Sequence, residues 1–67
     1  MPIISFESGQ LSDTVRAALI EKLTATAAEV TGIPAHLFFV TIRELPDHSM
    51  AVGGKTVAQI KQELGKI

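Results

Sequence analysis

Between Ser12 and Pro34 the chain carries one long helical pattern, flanked on each side by a strand pattern, and this order leaves few folds open. Val15, Leu19, Leu23, Ala27 and Val30 recur at helical spacing, while Arg16, Glu21, Lys22 and Glu29 sit mostly off that stripe. Ser12 can cap the helix through its hydroxyl, and Asp13 puts a negative charge where the helix dipole favours one. Gly32 can take the left-handed conformation that ends a helix, and Pro34 cannot continue it. The spacing therefore predicts a helix from Asp13 to Thr31.

Ile3–Glu7 alternates, with Ile4 and Phe6 on one face and Ile3, Ser5 and Glu7 on the other, which is the period of a strand; Gly9 and Gln10 then break it. Phe38–Leu45 is rich in aromatic and β-branched residues and is closed by Pro46, so it predicts a second strand. A strand, a helix and a strand in this order make a right-handed crossover with parallel strands. Parallel sheets need both faces covered. The Phe38, Val40 and Ile42 face is expected under the helix, which leaves the Phe39, Thr41 and Arg43 face for another subunit or for a ligand pocket at a subunit boundary.

Past Pro46 the segment 47–54 is rich in turn residues and predicts a small hairpin around Met50–Val52. Val57, Ile60 and Leu64 then repeat at helical spacing, as in a short tail helix that clamps a neighbour. The expected architecture is α/β: one domain over residues 1–67, built as a β-α-β unit with a parallel two-stranded sheet, a small C-terminal hairpin and short helix, and completed by oligomerisation.

Oligomerisation is needed because a single core of this size contributes only about 3–5 kcal/mol. With no cysteine, disulfides and thiolate metal sites are excluded and a reducing, cytoplasmic setting is expected; two histidines alone make no zinc site. A chain that is 46% apolar has surface for self-association. Its net charge of −1 gives no basic stripe for nucleic acid and no membrane anchor, and without Tyr or Trp there is no obvious platform for stacking bases.

Pro2 is the residue with unusual chemistry. If Met1 is removed, Pro2 carries a free secondary amine that titrates at roughly 7.7–8.0 when unperturbed. Burial or nearby cations would bring it towards neutrality, where it can act as a base. The structural alternative is a proline that starts a strand, where a missing N–H does no harm.

Other features carry less. Gly53–Thr56 reads GGKT, like the end of a phosphate-binding loop, but Ser49 stands where that motif requires its first glycine, so the stretch reads as a turn. His36 and His48 fall in separate loops and read as surface residues. Glu7, Glu44 and Asp47 read as solvated charges, and Met50 and the phenylalanines as packing residues.

Taken together, Met-Pro-Ile, a strand, a polar turn with Ser12–Asp13, a long helix, TGIP, a second strand and a GG after a short hairpin resemble the 4-oxalocrotonate tautomerase family from Pro2 to about Ile60. The resemblance implies a cofactor-free keto–enol tautomerase acting on a small 2-oxo or enol acid, with Pro2 as general base and then acid. It also implies a homo-oligomer, as a trimer of dimers, a trimer or a dimer. In that family two arginines hold the substrate carboxylates and an aromatic residue before the GG keeps the proline dry; the matching positions here are Leu11, Phe39 and Met50. The implied pocket of Phe39, Met50 and Leu11 is more apolar and less cationic than a dicarboxylate site, with Arg43 as a candidate replacement cation and Arg16 as a second. Val52 stands where the water-activating branch of the superfamily has a carboxylate, which argues against hydration. The alternatives are a side branch such as a decarboxylase, or a non-enzymatic oligomeric binding or structural protein.

Overall fold

Ile3–Ser8 forms β1 and Phe39–Glu44 forms β2, and the two pair in parallel with Ile3 opposite Phe39, Ser5 opposite Thr41 and Glu7 opposite Arg43. Asp13–Thr31 forms α1, the crossover between them. The computed structural model describes residues 1–65; the expected single unit is followed as far as Gly65, and residues 66–67 lie outside the described residues.

The ends of α1 are set by the residues that predict them. The Ser12 hydroxyl accepts the Val15 amide at 3.2 Å, and Gly32 closes the helix at φ 76° with its N–H on the Ala28 carbonyl. The apolar stripe is rotated from its expected place. Arg16, Leu19, Leu23 and Ala27 are half-buried, whereas Val15 and Val30 are 47% and 78% exposed. At 1.5 Å per residue α1 is about 27 Å from first to last residue against about 17 Å for a six-residue strand, so the helix is longer than the sheet it crosses. Arg16 faces inward because it reaches a carboxylate on β2.

β2 begins one residue later than the pattern predicts. The Phe38 N–H closes a 3-10 turn over Ala35–Leu37 by bonding Ala35, and the Phe39 N–H is the first to reach across, to the Pro2 carbonyl at 2.9 Å. Ile4 and Phe6 on β1 and Val40 and Ile42 on β2 are half-buried on the helix side of the sheet. The opposite side carries Ile3, Ser5 and Glu7 beside Phe39, Thr41 and Arg43, all exposed.

After a 3-10 turn at Asp47–Ser49, Ala51–Val52 (β3) and Lys55–Thr56 (β4) form a two-residue hairpin. Gly53 and Gly54 both have positive φ, 61° and 84°, as this tight turn requires. GGKT is therefore a turn. Val57–Glu63 forms α2, capped reciprocally by Thr56 and Gln59. Within its own chain α2 is held to the segment before it: Lys61 pairs with Asp47 at 2.9 Å, Lys55 with Glu63 at 2.9 Å, and the Val57 N–H bonds the Met50 carbonyl at 2.7 Å.

No described residue is fully buried. The chain measures 44 × 23 × 17 Å with a radius of gyration of 15.5 Å, against about 11 Å for a compact domain of this length. It exposes 5133 Å², whereas a folded 7.1 kDa monomer exposes about 4,100 Å². Two strands and one long helix place apolar groups side by side without enclosing them.

Candidate active site

Pro2 sits at the mouth of the parallel ladder, half-buried, with its carbonyl held by the Phe39 N–H. This bond fixes Pro2 against Phe39, whose ring lies on the open face and is 52% exposed. Met1 is 74% exposed, and while it is attached the Pro2 nitrogen is an amide without useful basicity.

The other candidates lie at the far end of the sheet. From Ile3 to Ser8, β1 extends roughly 17 Å at about 3.3 Å per residue, and Leu11 comes only after that, half-buried. Met50 is also at this end, with its terminal methyl about one contact distance from Gly9: a side chain on Gly9 would meet Met50 Cε at 3.5 Å and Asp47 Oδ1 at 3.8 Å. Arg43 is exposed on the open face, opposite Glu7. One chain thus brings Pro2 to Phe39, and it brings Leu11 and Met50 to the opposite end of β1. The described residues enclose no pocket.

Arg16 and Glu44 form a cluster at the Leu11 end. Glu44 accepts the Leu11 N–H at 3.0 Å and the Arg16 Nε–H. Arg16 donates from Nη2 to the Leu11 carbonyl at 3.1 Å and from Nη1 to Asp13 at 2.8 Å. Both polar groups of the Leu11 backbone are therefore held by one ion pair. Glu44 reads as a solvated charge in the sequence; in the structure its side chain is only 23% exposed and partnered twice. The Arg16 hydrogen bond, followed by the Leu11 N–H, holds the Glu44 carboxyl below its ordinary value of 4.5, and the two carboxylates hold the Arg16 guanidinium above its ordinary range. A carboxyl whose folded value is depressed contributes stability above the ordinary value and loses it as pH falls through the depressed one. The stability difference between the wild type and Glu44→Gln, measured by thermal unfolding, should therefore be present above the ordinary carboxyl value of 4.5 and fade as the pH is lowered below it.

His36 and His48 are exposed in separate 3-10 turns. Among the described residues, no helix is long and apolar enough to cross a membrane.

The family model for tautomerase enzymes matches residues 2–60, nearly the whole described chain. The chain belongs to the tautomerase family. This is a family of isomerase-type enzymes, and the β-α-β unit with its parallel two-stranded sheet, small hairpin and short helix is the tautomerase fold. TomN, a 4-oxalocrotonate tautomerase homologue in the tomaymycin biosynthetic pathway, is 37% identical, with a TM-score of 0.83 over 87% of this chain and 91% of its own. DmpI from Archaeoglobus fulgidus is 30% identical, with a TM-score of 0.79 over 85% of this chain and 98% of its own. A heterohexameric 4-oxalocrotonate tautomerase from Chloroflexus aurantiacus J-10-fl, 24% identical, shares the fold with a TM-score of 0.78 over 91% of this chain and 98% of its own. No curated protein matches this tautomerase-family chain significantly in sequence.

Proposed function

We propose that the chain, once Met1 is removed, is a cofactor-free keto–enol tautomerase acting on a small 2-oxo or enol acid, with the Pro2 amine as general base and then acid. The observation that carries this reading is the placement of Pro2: a proline at position 2, tied to Phe39 at the start of a parallel sheet, in a chain of the tautomerase family.

The reaction moves one proton. The neutral Pro2 nitrogen takes it from the hydroxyl of the enol, the electron pair moves through the enol to carbon, and the proton returns to that carbon from the Pro2 ammonium. An apolar surrounding of Phe39, Met50 and Leu11 disfavours the charged amine and lowers its pKa towards working pH. The developing negative charge on oxygen is met by backbone N–H groups or by Arg43.

Assembly is part of the proposal. Leu11 and Met50 stand at the other end of β1 from Pro2, so a neighbouring subunit must bring them to it. The single chain exposes about 1,000 Å² more than a folded monomer of its mass, similar to the surface each partner commits to a stable interface. A trimer of dimers built on the open sheet face and the subunit ends accounts for both, with a trimer or a dimer as the smaller arrangements. The proposed setting is the cytoplasm.

Among the described residues Arg16, Lys55 and Lys61 are engaged in ion pairs; of the two described cations outside them, Lys22 lies on α1 and Arg43 on the open sheet face. One cation on that face suits a substrate with one carboxylate. Arg43→Ala should raise KM for an anionic enol acid about tenfold, the scale of one charged hydrogen bond, with kcat changed much less. Unchanged constants would make Arg43 an ordinary surface charge. The activity itself is tested by ketonisation of an aryl enolpyruvate, using protein whose mass shows that Met1 is absent: saturable turnover is expected, and a rate no greater than buffer would refute the reading.

A further inference from the structure

We propose that Glu44 is a specificity-determining positioning residue, which holds the Arg16 guanidinium neutralised against Leu11 so that this end of the site rejects a second substrate carboxylate. The proposal rests on the tautomerase reading only for the placement of Leu11 beside the substrate.

The geometry of Arg16 sets out the terms. Its Nη2 reaches the Leu11 carbonyl at 3.1 Å, so the charge lies against the residue that the tautomerase reading places beside the substrate. Three N–H groups are used, on Glu44, Asp13 and Leu11, and two of the five guanidinium donors have no partner among the described residues. Arg16 is thus chemically able to grip a carboxylate. It is occupied by two others.

Those two carboxylates differ in how firmly they hold it. The Asp13 side chain is fully exposed, and such pairs contribute little. The Glu44 side chain is 23% exposed and is fixed a second time by the Leu11 N–H. Glu44 is therefore the group that fixes Arg16 and offsets its charge. Glu44→Gln keeps an oxygen for the Leu11 N–H and removes the negative charge, so it frees the guanidinium while leaving the loop its hydrogen bond. Arg16→Met removes the cation itself and serves as the control.

The experiment is an NMR titration of the assembled protein without Met1, following the Leu11 amide, with 2-oxobutanoate and with 2-oxoglutarate as monocarboxylate and dicarboxylate probes. In Glu44→Gln the ratio of the two dissociation constants should move about tenfold towards the dicarboxylate, the scale of one additional charge-assisted hydrogen bond. In Arg16→Met it should stay within about twofold of the wild type. A ratio unmoved in folded Glu44→Gln, an equal shift in Arg16→Met, or no binding of either acid to any variant would overturn the proposal. Binding involves no proton transfer, so the ratio should be the same in Pro2→Ala, and failure of the tautomerase reading would show instead as absent turnover.

Discussion

Pro2→Ala should lose most of the ketonisation rate, by about a hundredfold or more, while the oligomer and its unfolding temperature stay as in the wild type. General acid–base groups contribute about 10²–10⁴-fold, and the alanine amine is a primary amine on a freely turning residue rather than a rigid secondary one. The fold should be indifferent to the change. The bond Pro2 makes with β2 runs through its carbonyl, which alanine also has. The loss should fall mainly on kcat, because the proton moves only in the chemical step. Comparable rates in the two proteins, with Met1 shown to be absent from both by mass, would remove Pro2 from the reaction.

Thr41→Lys is expected to have the second large effect, on assembly. Thr41 lies at the centre of the open sheet face, directly opposite Ser5, with the two hydroxyls 3.3 Å apart. If this face is covered by a second copy, a lysine there would be buried without a partner and set against its own counterpart across a two-fold interface. The oligomer should dissociate at micromolar concentration. Because no described residue is fully buried in the single chain, the released subunit should also lose most of its cooperative unfolding transition. Sedimentation and thermal unfolding read the two effects separately. A Thr41→Lys protein that keeps the wild-type mass in solution would show that the sheet face is not the interface.

Much of the fold is legible in the chain because local signals agree with one another. Ser12 and Gly32 each have one conformational task, capping and left-handed termination, and the structure uses both. Gly53 and Gly54 force a tight hairpin whatever surrounds them. The rotation of α1 is less legible, since Arg16 turns inward for Glu44, 28 residues away in the chain, and no periodicity reveals a partner at that distance. The same holds for the clasp on Leu11. A signal for α2 is present: Thr56 followed three residues later by Gln59 is a capping box, and it fixes where that helix starts.

The candidate site is less legible than the fold, for a physical reason. Pro2 stands out because only a proline can supply a secondary amine at a chain start, whereas Phe39 is marked only by the family resemblance, and the register that sets it beside Ile3 emerges only in the structure. Leu11 and Met50 have no chemistry of their own to mark them; they matter through where a neighbouring subunit would place them, and strand spacing within one chain puts them far from Pro2.

The central claim is that Pro2 is a free amine with a lowered pKa, and nitrogen NMR of protein labelled with ¹⁵N-proline measures this directly. The account predicts an amine signal from Pro2 that titrates at least about one unit below the ordinary 7.7–8.0 of a chain terminus. A Pro2 nitrogen that remains an amide, or an amine that titrates at the ordinary value, would contradict it.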